Sequence, residues 1–486
     1  MIKLLVSICL RSSLLSVLLM AGCMVGPKYS KPETAADTND GYFNAGKHVQ
    51  DVNDFADAEM WWQRFGDPVT AELVRQMLEN NYDLKASAAR VLQAQATLAE
   101  VHGGRLPDVS YGLNRDRSKM SFNLGALGGG RFSFINETWS QNISVGYIVD
   151  LFGKLKRAER AAWAQMLAAE ANEQALVNSM IATVIQARTD IATLQKRLAI
   201  ARANTRSRQE TLQIVERRYD EGLVGPVDVR LARENLEAAK ALEPSIELSL
   251  IKAQYALDVL LGHRPGSSER LPQMPSDLPN LGPVPIGLPA SLLDRRPDVI
   301  SAELSLRAAN EQIGVSIAQL YPDLALTASY GSSADRWRDI WEHFAETYSA
   351  LFGLSQPIFQ GGRLRAQVDA AKARYQELAA NYAGAVLTAM REVEDALVTE
   401  KMLQMQLEHT ELRFKEAQAA ENLSQERYRR GVESILSVLE SEQRRRVSEE
   451  QLAILKGQMW TTRVNLHLAL GGDWSPQSQT EEQKGD

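Results

Sequence analysis

Apolar residues occupy every second position in four short stretches of this chain, at about 107–114, 141–149, 322–331 and 349–358. A period of two predicts β-strands that have one apolar face. Such strands fit a sheet that faces lipid around a wet interior, and they fit equally an antiparallel sheet packed on a protein core. Exposed loops are predicted within the two strand pairs, at residues 115–140 and 333–347, because both segments are rich in glycine, small polar or charged residues.

Far longer stretches have a helical pattern, which begins after Asp67–Pro68 and runs to about Val101. Residues 154–220 contain neither proline nor glycine, and residues 363–430 contain only Gly384. At 1.5 Å per residue, a continuous helix of about 67 residues is about 100 Å long. A short glycine-containing break and a second helix follow each time, which predicts helical hairpins over about 153–262 and 362–471. Helices of this length must pack on one another or on other subunits.

The whole pattern occurs twice, at a constant offset of about 209 residues. Residues 153–156 return as 362–365, and Arg218–Gly222 returns as Arg427–Gly431. Because the offset holds over more than about 100 residues without a gap, it predicts a duplicated structural unit rather than a solenoid. The predicted segments are a first repeat at 67–262, a linker at 263–294, a second repeat at 295–471 and a polar tail at 472–486.

Four strands are too few to close a barrel, and an open sheet in lipid would leave backbone groups unpaired at its edges. After the N-terminal segment, the sequence has no run of 18 uncharged apolar residues, so a membrane-spanning helix is not expected. If the chain spans a membrane, it does so with strands that several subunits share. Three subunits would supply twelve strands, a number found in outer-membrane barrels.

The first 22 residues predict a secretory signal, because Lys3 and Arg11 precede a short apolar core and small residues. Leu19–Cys23 is similar to a bacterial lipobox, in which the cysteine is acylated after cleavage. The alternative is an ordinary signal followed by an incidental cysteine. Residues 23–66 are polar and contain Pro27 and Pro32, which predicts a lipidated, extended tether. Only Cys9 and Cys23 are present, so the mature chain is expected to have no internal disulfide.

Composition and charge narrow the functional classes. The net charge is −7 and the hydrophobic fraction is 44%, which argues against nucleic acid as a partner and supports a sizeable core. The six histidines are scattered and lack the spacing of a metal site. Because no nucleophile elbow, phosphate-binding loop or catalytic constellation is recognisable, the sequence predicts no enzyme, no metal and no cofactor besides a covalent lipid on Cys23.

Several motifs resemble the TolC/OprM-like outer-membrane efflux protein family, in its lipidated branch. The stretch Arg295–Val299 is the most specific, and it is accompanied by Tyr321–Pro322 and by Pro357–Arg363. The leader Cys23–Pro32 and the segment Trp61–Pro68 are also similar to that branch. Together these motifs extend the resemblance over nearly the whole mature chain.

The resemblance implies a mixed α/β membrane channel. Three identical chains would form a twelve-stranded outer-membrane β-barrel, with four strands from each chain, and the barrel would continue into a periplasmic coiled-coil barrel of long helices. The implied role is the exit duct of a tripartite efflux pump, which conducts drugs or other small toxic compounds to the cell exterior. The implied partners are a periplasmic adaptor protein, an inner-membrane pump of the RND type and outer-membrane lipid.

The resemblance also suggests site residues near the helical turns. Leu436 and Glu440 would form rings that close the tunnel at its periplasmic gate, and Tyr428 matches a tyrosine of the family at that constriction. For Glu440 the alternative is a solvated helix face beside Arg444 and Arg445. The turns expected to contact the adaptor are Gly222, Leu223 and Val224 in the first repeat and Gly431, Val432 and Glu433 in the second. The alternative for these turns is a plain helix end selected for backbone geometry.

Two other functions remain open from the sequence. The exit channel of a type I protein-secretion system has the same architecture, although the lipobox and the Arg295–Val299 motif favour efflux. A structural coiled-coil protein without a pore would explain the long helices. The alternating strands of both repeats argue against that interpretation, because a stalk needs no barrel.

Overall fold

The computed structural model describes residues 24–34, 36, 41–43, 62, 67–123, 131–267 and 295–472. Helices and strands alternate there in two similar series. The elements are α1 Pro68–Asn80, α2 Tyr82–Gly103, β1 Asp108–Asn123, β2 Arg131–Val149, α3 Lys154–Asp220, α4 Pro226–Leu260, α5 Pro297–Ala318, β3 Asp323–Ala334, β4 Glu346–Ser355, α6 Arg363–Arg429 and α7 Ile435–Ala469. Two 3-10 turns, Trp337–Trp341 and His343–Ala345, lie between β3 and β4.

The internal repeat is visible in the lengths of the helices. Helices α3 and α6 have 67 residues each, and α4 and α7 have 35 residues each. Their starting points keep the offset of about 209 residues that the sequence motifs show. Both halves therefore contain the same long helical hairpin after a pair of strands.

The helical stretch that begins at Pro68 is divided by Asn81, whereas the sequence pattern predicts one helix to about Val101. Asp67 caps α1, because its side chain accepts hydrogen bonds from the backbone N–H of Val69 at 3.2 Å and from the Thr70 hydroxyl at 2.7 Å. The Asn81 side chain accepts from the first turn of α2, and its amide donates to the Leu260 carbonyl at 2.8 Å. This cap interrupts the helix without a glycine or a proline.

The strands form one antiparallel sheet in the order β1-β2-β3-β4. The predicted loop at 115–140 is wrong at both ends, since the ladder between β1 and β2 continues to the pair Asn123–Arg131. On the face that carries Val109 and Tyr111, the positions beyond Leu113 are mostly charged or polar, so the apolar alternation of that face ends while the backbone pairing continues. The other predicted loop, at 333–347, contains the two 3-10 turns, and β4 covers 346–355 rather than 349–358.

The chain divides into two compact units that do not follow the two repeats. Unit 1 contains the residues up to Pro32 together with Arg90–Ala169 and Ser301–Tyr382, and unit 2 contains the remainder. The sheet belongs to unit 1. Unit 2 contains an apolar core whose buried members come from α1, the start of α2, α3, the end of α4 with its cap Leu261, and α7, among them Met77, Ile185, Trp460 and Val464. Each unit therefore requires segments from both repeats.

Residues 24–34 form no helix or strand, but they are not a free tether, because they are bonded to other parts of unit 1. The Pro27 carbonyl accepts from Arg157 at 3.2 Å and from Asn310 at 3.4 Å. Lys31 forms an ion pair with Glu303 at 2.9 Å. Most of the predicted tether, the predicted signal with Cys23, the linker after residue 267 and the tail after residue 472 lie outside the described residues.

Among the described residues, no helix contains a stretch that is both long enough and apolar enough to cross a membrane.

Candidate functional site

The register of the sheet brings the apolar positions of all four strands onto one face. Row by row, the paired residues are Val149, Leu324 and Leu354; then Tyr147, Leu326 and Phe352; then Val109, Val145, Ala328 and Ala350; then Tyr111, Ile143, Tyr330 and Tyr348. Most of these large side chains are exposed, including Phe352 at 67%. An apolar sheet face whose side chains are mostly exposed is typical of contact with hydrocarbon.

In the part of the sheet that contains β3 and β4, the opposite face carries mostly small side chains and hydroxyl groups, with Ile148 and Leu351 as the large apolar exceptions. One row contains a serine on every strand, namely Ser110, Ser144, Ser329 and Ser349. The first two hydroxyls are 2.9 Å apart and the last two are 2.8 Å apart. The neighbouring row contains glycine on β1 and β3 and polar residues on β2 and β4. A face of this kind suits water, so the sheet separates an apolar environment from an aqueous one.

Aromatic side chains mark both limits of the apolar face. At one limit lies the row that contains Tyr111, Tyr330 and Tyr348, and at the other the rings of Phe152 and Tyr321 stack with their centroids 4.7 Å apart. Tyr321 and Tyr330 are about nine residues apart, which corresponds to about 30 Å of extended chain. A tilt of about 40° reduces this to about 23 Å, close to the apolar band of about 25 Å in outer-membrane barrels.

The two outer strands of the sheet are each paired on one side only, among the residues that the structure describes. Strand β1 pairs with β2, and β4 pairs with β3. Hydrocarbon does not tolerate unpaired backbone N–H and C=O groups. A sheet with this apolar face therefore requires further strands at both edges, which this chain does not supply within its described part.

The two helical turns have the same geometry. In the first, the N–H of Leu223 donates to the Arg218 carbonyl at 2.8 Å and that of Gly222 to the Tyr219 carbonyl at 2.9 Å. The corresponding bonds after α6 start from Val432 and Gly431. This is the Schellman arrangement, in which a glycine with positive φ ends the helix; φ is +71° at Gly222 and +77° at Gly431.

The turns present apolar side chains to the surroundings. Leu223 is 62% exposed and Val432 is 63% exposed, whereas Val224 packs on a buried cluster between the hairpins. Glu433 pairs with Arg427 at 3.2 Å. The hydrogen bond with Ser437 lowers the pKa of Glu433, and Arg427 adds to the effect, so this carboxyl stays ionised. Two exposed apolar side chains at the ends of otherwise polar turns are suited to contact with another protein.

Of the three predicted gate residues, two share an exposed face of α7. Leu436 is 63% exposed, and Glu440 lies one helical turn further along. Glu440 is not an isolated carboxylate, since it forms an ion pair with Arg444 at 2.5 Å. Within a single protomer, Leu436 and Glu440 therefore lie one above the other on the same side of α7.

Tyr428 lies apart from this pair. It is 4% exposed and packs with Ile435 and Leu439, and the Arg218 guanidinium lies 4.6 Å from its ring centroid. The same guanidinium donates a hydrogen bond to the Tyr428 carbonyl. Burial raises the pKa of the tyrosine hydroxyl, which Arg218 opposes. Within one protomer, Tyr428 joins the two hairpins rather than lining an open surface.

A buried polar network near these turns has no counterpart in the sequence analysis. Glu442 is 1% exposed and accepts a hydrogen bond from the Thr211 hydroxyl at 2.8 Å. Glu421 is buried against Arg445, and burial raises its pKa although Arg445 opposes this. A sequence signal existed for Glu442 alone, because the residues four and three positions before it, Val438 and Leu439, are apolar. The side chains of this network link α3, α6 and α7 in the interior of unit 2.

The structure also shows what the Arg295–Val299 motif does. Arg296 is buried and its guanidinium donates to Asp298 at 2.7 Å, to Glu392 at 2.7 Å and to the Ala469 carbonyl at 3.2 Å. It thereby fastens the start of α5 to α6 and to the end of α7. Among the residues that the structure describes, no cluster of three or more His, Cys, Asp or Glu side chains could hold a metal ion.

A sheet with one apolar and one hydroxyl-rich face, aromatic limits and long helical hairpins defines a membrane channel of mixed α/β class. The family model described as "Outer membrane efflux protein" matches residues 73–263 and 288–472. The chain therefore belongs to the outer membrane efflux protein family. It is an outer-membrane protein that extends into the periplasm, it functions as an exit duct in efflux, and the predicted fold class is confirmed.

Characterised relatives resemble the chain over nearly its whole length. The pyoverdine export outer membrane protein OpmQ of Pseudomonas aeruginosa is 31% identical over 470 residues, covering 96% of this chain and 98% of the relative. The solvent efflux pump outer membrane protein SrpC of Pseudomonas putida is 30% identical and covers 95% of this chain and 97% of its own length. The solved structure of the outer-membrane channel OprN superposes with a TM-score of 0.84 at 30% identity, covering 93% of this chain and 99% of that one.

Proposed function

We propose that three copies of this chain form one passive duct, which receives its substrates from an inner-membrane RND-type pump through a periplasmic adaptor protein. The observation that carries the proposal is the four-stranded sheet with a lipid-type face and two open edges. Three such sheets joined edge to edge make twelve strands and leave no edge in the membrane. The apolar face then contacts lipid, and the serine-rich face lines the water-filled lumen.

The duct has no energy source of its own in this proposal, and the pump supplies the energy. The barrel lumen is lined by small hydroxyl and glycine positions, which favour passage over recognition. The relatives carry names that refer to pyoverdine, toluene and solvents. We accordingly propose small organic compounds as the exported class, with the choice among them made by the pump rather than by the duct.

Leu436 and Glu440 are proposed as the periplasmic gate, because both are exposed on one line of α7. A ring of leucines dewets a narrow pore, and a ring of carboxylates favours cations. Tyr428 is proposed to stabilise the gate indirectly, because its contact with Arg218 holds α6 against α3. The exposed turn residues, from Gly222 to Val224 and from Gly431 to Glu433, are proposed as the contact surface for the adaptor.

Cys23 is proposed as the site of lipidation, and the residues that follow it fit this role. The N–H of Val25 donates to the Phe152 carbonyl at 3.2 Å, and Met24 contacts Gly153 so closely that a Cβ atom there would lie 2.6 Å from it. Met24 is thus held beside the end of β2, at the aromatic limit of the apolar face. An acyl chain on the preceding residue would have a short path into the membrane.

The proposal is tested in cells that lack the protein and in the same cells after re-supply. A panel of dyes, antibiotics and metal ions is offered, and the intracellular accumulation of each is measured. We expect some organic compounds to accumulate only in the absence of the protein, and re-supply to reverse this. A variant in which Cys23 is replaced by serine serves as a control for anchoring.

If no compound accumulates, secreted proteins are compared between the same strains. Loss of one secreted protein without any change in compound accumulation would replace the efflux proposal with a type I secretion channel.

A further inference from the structure

The segment between β3 and β4 folds back over the apolar face of the sheet. Ile340 is 1% exposed and Ala345 is 3% exposed, so these two residues anchor the segment. Ile340 and Trp341 border a cleft of about 260 Å³, whose other side contains Tyr111, Ile143 and further residues of the same sheet face. We call residues Trp337–Ala345 the aromatic flap.

Tryptophan contacts fix the side of the sheet on which the flap lies. Trp139 shares the apolar face, because it is an even number of residues from Ile143 on β2. The rings of Trp139 and Trp337 meet edge to face with centroids 5.1 Å apart, and the Trp337 and Trp341 centroids are 6.1 Å apart. The flap therefore lies outside the barrel wall and not above the lumen.

The most apolar side chains of the flap point away from the protein. Trp341 is 66% exposed and Phe344 is 77% exposed. Trp341 borders the same cleft as Tyr111 and Tyr330, which belong to the row that ends the apolar face. The following row contains Leu113, Gln141, Ser332 and Glu346 and is mainly polar, which is the change expected where hydrocarbon gives way to lipid headgroups.

We propose that the aromatic flap is a membrane anchor, whose Trp341 and Phe344 side chains enter the interface of the outer lipid leaflet around the barrel. Aromatic rings favour this level of a bilayer, where one part of the side chain is apolar and another is near water. The flap continues the lipid-facing surface of the sheet without a break. In this proposal the charged residues of the flap, Arg338, Asp339 and Glu342, stay in water beyond the lipid headgroups, and Arg338 pairs with Asp339 at 3.2 Å.

The anchor is tested with nitroxide labels on single cysteines in the full-length protein, reconstituted into vesicles of phosphatidylcholine and lipopolysaccharide. Phe344→Cys and Trp341→Cys report on the flap. Phe352→Cys, in the apolar band, is the lipid control, and Arg338→Cys is the water control. The unsubstituted chain, with its two cysteines, gives the background labelling. Spin relaxation by oxygen, which concentrates in lipid, is compared with relaxation by a water-soluble nickel complex.

We expect the label at Phe344→Cys to show the high oxygen-to-nickel accessibility ratio of Phe352→Cys, at least about threefold above that of Arg338→Cys. A ratio equal to the water control would overturn the anchor. Exclusion of both relaxing agents would also overturn it, and would mean that another copy of the chain covers the flap. Should Phe352→Cys itself be inaccessible to oxygen, the placement of the whole sheet fails, a result distinct from failure of the flap alone.

Discussion

Arg296 joins three segments that are distant in the sequence. Its guanidinium has a buried position in which solvation is lost, yet the ion pairs with Asp298 and Glu392 outweigh this loss and raise its pKa. The planar fork of an arginine can serve two carboxylates and a carbonyl at once, which a lysine cannot do. The Arg295–Val299 motif is therefore explained by packing between α5, α6 and α7, and it requires no contact with a substrate.

Asp298 is the titratable partner whose role depends on pH. Burial works against ionisation, but the hydrogen bonds from Arg296 and from backbone N–H groups lower its pKa. A carboxyl with a lowered pKa stabilises the folded state above its unfolded pKa, about 3.9 for aspartate, and this stabilisation is lost as the pH falls through the folded value. We expect Asp298→Asn to lower the urea midpoint of unfolding at pH 7, and the difference from the unsubstituted protein to vanish below about pH 3.

The measurement is the urea midpoint in detergent between pH 7 and pH 2.5, with the exposed Asp369→Asn as the matched control. Parallel curves for Asp298→Asn and the unsubstituted protein over the whole pH range would contradict the assignment.

Leu436 and Glu440 make the proposed gate testable at single residues. We expect Glu440→Gln to lower the preference for cations at least about twofold, because a charged constriction concentrates counter-ions. Leu436→Ala should raise the conductance, since it removes an apolar ring from the pore. Conductance and reversal potential in planar bilayers provide the measurement.

A control for the gate exists on α6, where Glu377 is exposed and pairs with Arg374 at 2.5 Å, much as Glu440 pairs with Arg444. Glu377→Gln should change neither quantity. If the variants at Glu440 and Leu436 behave like this control, the two residues form an ordinary solvated helix face.

At the scale of the strand, adjacent residues of β2 face different solvents. Val145 lies in the apolar band and Ser144 in the hydroxyl row. We expect Val145→Arg to destabilise the protein by about 2–4 kcal/mol per copy, the cost of a cation facing lipid. Ser144→Arg should leave the folded yield unchanged and shift ion selectivity towards anions. Urea midpoints and outer-membrane yield measure both, and equal losses for the two variants would refute the assignment of the faces.

The helical turns allow backbone geometry to be separated from partner binding. Gly222 has a positive φ, and nothing lies within 4 Å of a Cβ atom added there. Gly222→Ala should therefore cost about 1 kcal/mol through backbone strain alone, with export preserved. Leu223→Ser combined with Val432→Ser should leave stability unchanged while reducing export and adaptor cross-linking. Full export by this double variant would leave the turns with a structural role only.

The sequence predicted the long helices well because the absence of proline and glycine and a constant offset are strong signals. It misplaced the ends of β1 and β2 that meet at the hairpin tip, since alternation marks only the part of a strand that has one apolar face. It missed the cap at Asn81, because a single asparagine within an apolar helical pattern is not a clear signal that the helix ends. The aromatic flap could not be foreseen, since its significance depends on which sheet face it covers.

At the scale of the whole molecule, the duplicated sequence and the compact units differ for a physical reason. Each repeat supplies two strands and a helical hairpin, but neither part can bury its apolar surface alone. Unit 1 combines the strands of both repeats in one sheet, and unit 2 combines segments of both hairpins. The duplication therefore yields one interleaved protomer and not two independent domains.

In a barrel that closes, β4 of one copy must pair with β1 of the next copy, because β1 and β4 are the outer strands of the described sheet. We expect Leu351→Cys on β4 to form a disulfide with one member of a cysteine series on the corresponding face of β1, at Ser110, Gly112, Asn114 or Asp116. Each copy contributes one β1 and one β4, so a closed ring of three must give covalent trimers on a non-reducing gel, and nothing larger. The central strand β2 supplies the control, since Leu351→Cys should not reach Ser140→Cys or Ser144→Cys of another copy. Cross-linking that stops at dimers, or that occurs equally with β2, would show that the sheet does not close through its edges.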